Sequence, residues 1–336
     1  MGTVQTMSVK KFFWLTLGSF GIITLLTALL APMLVQRFYP LPVDQGPSWY
    51  YWQLASTSTA ARVSYWLGFV LHLGVVGYLA FKAKKVKPAD TNGIHAYSVK
   101  LLVSNLVFVV LHLVQTSLWY DGLAQDIPIW ISQGSVIVML VLILYLMIPS
   151  RGLFWGKKFA PPSHMLAFVR TWHGPYNMLA LILTFWFHPM DGNWGLLSGF
   201  IYMFLLFTQL ILMNTRMHYN RTWIVLLEFF VTIHGTLITV YKDNPIWPMF
   251  FFGFLAMFVF TQAHTWKLKP IMRWAIFGAY ITLILLVYGF IRGFNHVYEI
   301  TFIPVALYGG ALGLLLVGYL WDKLTKKKPA APSKVG

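Results

Sequence analysis

The sequence predicts an all-α membrane protein, a polytopic bundle of about ten transmembrane helices with both termini cytoplasmic. Three observations predict it. First, of 336 residues 58% are hydrophobic and only 10% charged, where soluble domains carry about a quarter charged. Second, apolar runs of about 20 residues recur along the whole length, each able to cross a hydrocarbon core of about 30 Å. Third, the few charges are sorted by side. With ten spans, 20 of the 25 cations fall on the face that carries both termini, against only Asp90 and Asp322. The other face holds Arg37, Arg62, Lys242 and Arg292 with six carboxylates. The basic face is then the cytoplasmic one by the positive-inside rule.

The ten runs lie at 12–36, 62–81, 100–120, 129–148, 165–187, 195–213, 223–241, 247–266, 274–291 and 301–321. The first reads as a retained span rather than a signal peptide, because Leu30-Ala31-Pro32 is a poor cleavage site. Residues 1–11 form a short N-terminus, 12–324 a single transmembrane domain, and the Lys/Pro/Ala-rich 325–336 a disordered basic tail. The segment 37–61 combines Pro40, Pro42, Gly46 and Pro47 with Trp49, Tyr50, Tyr51 and Trp52. It reads as a short helix lying on the outer surface, or else as a lid over a quinone or lipid pocket.

Composition excludes several classes. The net charge of +16 sits in topology-determining loops, so it marks anionic lipid at the cytoplasmic face rather than nucleic acid. With no cysteine, disulfides, c-type haem, cysteine-ligated clusters and thiol nucleophiles are out. No nucleophile elbow, phosphate loop, zinc-protease motif or closely spaced histidine box is present. No loop is long enough for a soluble flavin or nicotinamide domain.

Four histidines lie near the middle of spans: His72, His112, His173 and His234. An ionisable or ligating group at that depth is a functional candidate, because hydrocarbon tolerates it poorly. His72 and His112 lie on antiparallel neighbours at heights about 4 Å apart by helical rise, which suits a bis-histidine metal site. Gly68, one turn before His72, clears room beside it for a flat macrocycle, or else for close helix packing. His234 lies about 3 Å further toward the outer side by the same rise. His264 ends the eighth run and shares a face with Met257 and Gly253. His164 and His188 fall at span edges, and His95, His218 and His296 in loops, where they read as surface histidines.

The fifth run carries a polar stripe. At about 100° per residue, Arg170, His173, Asn177, Thr184 and His188 fall within a sector of about 60°. Such a stripe is expected to face the bundle interior or a water-filled path, and Pro175 to break the helix beside His173. Glu228 is the one carboxylate well inside a span. It reads as a proton-handling catalytic group, a silent protonated acid, or the partner of a cation such as Arg170.

Arg170, His173 and His188 together resemble the span of ferric-reductase-like and b561-like membrane cytochromes. There an arginine just precedes a histidine, and a second histidine follows about four turns later. The resemblance covers one span of ten. It implies b haems, with His173 and His188 as inner and outer ligands and Arg170 at a propionate.

The leading expectation is therefore a b-type cytochrome subunit of a bacterial plasma membrane. It would carry electrons within the membrane, to or from a quinone, with a redox partner subunit. Haem b would be held by His72 with His112, and by His173 with His264 or His234, while Arg170 meets a propionate. A proton- or anion-coupled transporter, and a membrane enzyme acting on a lipid or isoprenoid, are the alternatives.

Overall fold

The computed structural model describes residues 3–4, 7–46, 49–84 and 93–325. The predicted tail lies outside the described residues apart from Thr325. Ten long helices form in chain order: α1 (Val9–Val35), α2 (Thr59–Lys84), α3 (Ala96–Trp119), α4 (Ile129–Arg151), α5 (Ser163–Phe187), α6 (Trp194–Ile211), α7 (Arg221–Tyr241), α8 (Trp247–Phe260), α9 (Pro270–Val287) and α10 (Phe302–Thr325). Each coincides with one predicted run. Among the described residues, nine of the helical segments are long and apolar enough to cross a membrane. The chain is thus a multi-pass integral membrane protein. α5 stands outside that group because its polar stripe dilutes its hydropathy.

Local chemistry sets the helix ends. Ser8, Asn193 and Asn220 cap α1, α6 and α7 by accepting the backbone N–H three residues on, which satisfies an otherwise orphaned donor. Pro270 opens α9 and Pro248 lies in the first turn of α8, where a missing N–H costs nothing. One small β-pairing joins Thr3–Val4 to Ile94–His95. The sequence did not signal it.

Consecutive helices pack at α2–α3 and from α4 through α9, while longer-range packing sets α1 against α3 and α6, α2 against α5, α3 against α6, and α10 against α4, α5 and α8. One core joins α1, α2, α3, α5 and α6. A second joins α4, α5, α8 and α10, and a third lies between α8 and α9. The loops sort into two sets, as alternating spans require. On the acidic face Tyr39 meets Asp191, Tyr50 meets His188, and Lys242 pairs with Asp44 at 2.9 Å. On the basic face Asn214 donates to the carbonyl of Ala83, and His164 lies 3.0 Å from Asp322.

The segment after α1 differs from the expected surface helix. After a single 3-10 turn at Gln36–Phe38, the described residues 39–46 and 49–58 are irregular. Tyr50 and Trp52 are buried in the bundle, each 4% exposed. Proline and glycine prevent a helix here, so the aromatic rings plug the helix ends instead of floating at the headgroups.

Candidate functional site

The middle of the first core is built around Trp186. Its indole lies in the notch left by Gly68, where a Cβ would overlap the six-membered ring. The flat ring that fills this notch is a tryptophan of α5, not a macrocycle. Trp186 Nε1 donates to His72 Nδ1 at 3.2 Å, and His72 Nε2 lies 3.1 Å from Asn105 Oδ1. Asn105 Nδ2 donates to the carbonyl of Leu101 at 2.7 Å, so its oxygen faces the histidine. His72 is therefore the neutral tautomer with hydrogen on Nε2, and both nitrogens are used. Phe108 stacks on it with centroids 4.4 Å apart.

His112 is fully buried and also contacts Trp186, with ring centroids 4.4 Å apart. Its Nε2 lies 2.8 Å from the carbonyl oxygen of His188, and its Nδ1 lies 3.1 Å from Gln115 Oε1. The orientation of the Gln115 amide is dictated by its other end, where Nε2 donates to the carbonyl of Asp121 at 2.6 Å. Both nitrogens of His112 thus face oxygen acceptors. Only a ring carrying two protons donates to both.

Between His112 and the acidic face lies a polar layer. His188 Nδ1 meets the Tyr50 hydroxyl. Asp121 accepts the Leu54 N–H on Oδ1 at 2.9 Å, and its buried Oδ2 has no partner. Burial pushes the Asp121 carboxyl above the ordinary carboxylate range, against the Leu54 hydrogen bond. Asp191 Oδ2 accepts from the hydroxyls of Tyr39 and Tyr120, and Thr116 Oγ1 accepts the N–H of Met190 at 2.9 Å. Asp126 gathers Arg62, Tyr65 and Trp66 from α2.

The other predicted residues are dispersed. His234 Nδ1 donates to Ser198 Oγ at 2.9 Å, since that hydroxyl itself donates to the carbonyl of Gly195. Gly199 makes the contact close, for a Cβ there would lie 2.9 Å from His234 Cε1. His234 therefore has a partner, on α6, that its own helix face could not reveal. α5 runs unbroken through Pro175, and His173 Nδ1 lies against the carbonyls of Val169 and Arg170, 3.2 and 2.9 Å away. Arg170 is exposed. It lies about two turns into α5, where its long stem lets the guanidinium snorkel toward the headgroups. The stripe is thus polar along its length but faces the interior only in its second half. His264 lies beside Trp155 and Gly156 rather than beside His173.

The partner of Glu228 is Arg151, not Arg170. Arg151 Nη2 donates to Glu228 Oε1 at 2.7 Å and Nη1 to Oε2, in a bidentate pair only 2% and 7% exposed. Arg151 lies three residues past the end of the fourth predicted run; α4 continues to it and buries it. His95, predicted as a surface histidine, is 6% exposed and stacks on Tyr97.

Haem ligation needs an imidazole lone pair aimed at the iron and a flat void beside it. The lone pair of His72 is taken by Trp186, the notch is filled by its indole, and His112 Nε2 faces a carbonyl. As folded here, His72 and His112 do not fit a haem. Among the described residues, no three histidines or carboxylates lie close enough to hold a metal ion. Sequence reasoning missed Trp186, Asp121 and Asp191, and named Tyr50 only as part of the outer aromatic segment. The one available signal was the concentration of carboxylates and aromatic hydroxyls on the acidic side. No protein-family model matches the chain, and neither a curated protein nor a solved structure does.

Proposed function

We propose that the chain is a proton-coupled membrane transporter of a bacterial plasma membrane, with its basic face toward the cytoplasm. His112 is the group that holds the proton. The single observation that carries this reading is the pair of acceptors around its ring, Gln115 Oε1 and the His188 carbonyl. A neutral ring leaves one acceptor facing a lone pair. A protonated ring satisfies both, against the cost of burying the charge. Histidines and carboxylates chained at membrane depth are the usual material of proton relays. Asp121, Tyr50 and His188 are titratable groups between His112 and the acidic face, with Tyr50 and His188 hydrogen-bonded to each other. Asp121 suits a relay further because burial favours its protonated form.

The test is proton movement in proteoliposomes with a pH-reporting dye inside and an imposed membrane potential. Acidification above that of empty liposomes, lost in a folded His112→Phe variant, is the expected result. A protein that moves no protons, or that carries a strong Soret band after haem-replete expression, overturns it. The Soret band would return the chain to the b-type cytochromes.

A further inference from the structure

The basic end of the first core carries a groove of about 360 Å³ that the proton reading does not use. It lies between the start of α1 and the segment joining α6 to α7, which touch there. Its polar side chains are Lys10, Arg216 and Asn220. Asn220 commits its Oδ1 to the N–H of Trp223 at 3.0 Å, which leaves the amide nitrogen as a donor. The polar side chains of the groove thus present two positive charges and an amide donor. Among the described residues, no carboxylate lines it.

The rest of the lining is apolar and lies deeper. At 1.5 Å of rise per residue, Phe13 and Trp14 sit about 4–6 Å further along α1 than Lys10. Phe13 is buried and meets Trp223 edge-on with ring centroids 5.1 Å apart, which fixes the floor of the groove. Trp14 stands edge-on to Phe13 at 5.2 Å and is 60% exposed. In a spanning helix that exposure is contact with lipid, and an indole so near the helix end belongs at the headgroup level. Met217 closes the groove with a thioether that adapts to irregular apolar shapes.

The lining therefore has two parts, cationic toward the basic face and aromatic toward the bilayer. A soluble anion uses only the first. A choline phospholipid brings an ammonium that Lys10 and Arg216 repel. A phospholipid of net negative charge uses both parts. Its phosphate oxygens accept from guanidinium, ammonium and amide, and its glycerol and upper acyl chain cover the rings. Basic pockets between helices at the cytoplasmic side suit such headgroups. We infer that this groove binds one anionic phospholipid, with its phosphate on Lys10, Arg216 and Asn220 and its chain on Phe13 and Trp14. Held so, the lipid ties the start of α1 to the start of α7.

Native mass spectrometry of the purified protein counts bound lipid during titration with phosphatidylglycerol and, separately, with phosphatidylcholine. One phosphatidylglycerol should bind in preference to phosphatidylcholine. Lys10→Gln with Arg216→Gln should weaken it about tenfold or more, as the loss of two cations beside a phosphate predicts. Both residues are exposed, so the fold should survive. Lys267→Gln with Lys269→Gln removes two exposed cations outside the groove and should leave the binding unchanged. Equal weakening by the two pairs, or equal retention of the two lipids, overturns the site. Displacement of phosphatidylglycerol by inorganic phosphate overturns the lipid as occupant in favour of a soluble anion. The unmodified protein gives a second readout through phosphatidylglycerol with a diazirine at the top of one acyl chain. Cross-links within 9–17 or 216–223 support the site, and cross-links confined to other segments overturn it. Neither readout depends on proton flux, so loss of the transport reading and loss of the lipid site are separate outcomes.

Discussion

Trp186 occupies the notch of Gly68 and donates its indole N–H to His72 at 3.2 Å. One tryptophan thereby does two jobs, filling the space on α2 and neutralising a buried polar ring. Gly68→Ala should force the indole out and cost about 1–3 kcal/mol, the usual penalty of overpacking a well-filled core. Trp186→Leu should lose stability separately, and the double variant should lose less than the two single losses added together. Melting temperatures of the four proteins in one detergent measure it. Simple additivity would show that Gly68 and Trp186 do not share this space.

The Arg151–Glu228 pair predicts an asymmetry. Glu228→Gln or Arg151→Ala alone should destabilise by about 3–5 kcal/mol, because each strands a buried charge. Replacing both by apolar residues of similar volume, Arg151→Met with Glu228→Leu, should restore most of the loss. Thermal unfolding of the solubilised protein is the readout. A double variant as unstable as the singles would contradict the assignment.

Arg170 should behave in the opposite way. It is exposed, so Arg170→Gln should change stability by no more than about 0.5 kcal/mol, as surface substitutions do. The same assay decides it. A loss comparable to that of Arg151→Ala would mean that Arg170 faces the interior after all.

His188 predicts a pH dependence. Burial, then the nearby His234 and His112, holds its imidazole down to about 3, against about 6.5 in an unfolded chain. Between those values the unfolded chain binds the extra proton and the folded chain does not. The stability contributed is therefore complete above pH 6.5 and is lost as pH falls toward 3. The melting temperature should drop between pH 7.5 and pH 5, and the drop should be shallower in His188→Gln. An unchanged slope in that variant would remove His188 as a contributor.

Gln115 should matter to function more than to fold. Its amide presents one acceptor to His112 and anchors itself on the Asp121 carbonyl. Gln115→Leu removes the acceptor that favours the doubly protonated ring, so proton movement in proteoliposomes should fall by about tenfold or more, the factor that 1.4 kcal/mol represents. Unaltered flux would detach Gln115 from the proposed proton site.

The sequence by itself determined the fold class and all ten helices. Apolar length against bilayer thickness is a local property, and the charge bias of the loops orders the spans without reference to contacts. Sequence also picked out His72 and His112, and both rings contact Trp186 in one core. What it could not decide was which side chain each polar group faces. Glu228 found Arg151, 77 residues away, because α4 and α7 converge there. His234 found Ser198 because Gly195 and Gly199 let α6 and α7 approach. The Gly68 notch went to Trp186 because α5 packs on α2. Helical periodicity assigns each residue to a face of its own helix. Only the packing of helices against one another chooses the partner on the other side. In a bilayer, where a buried polar group without a partner is costly, that choice separates a ligand waiting for a metal from a histidine already satisfied.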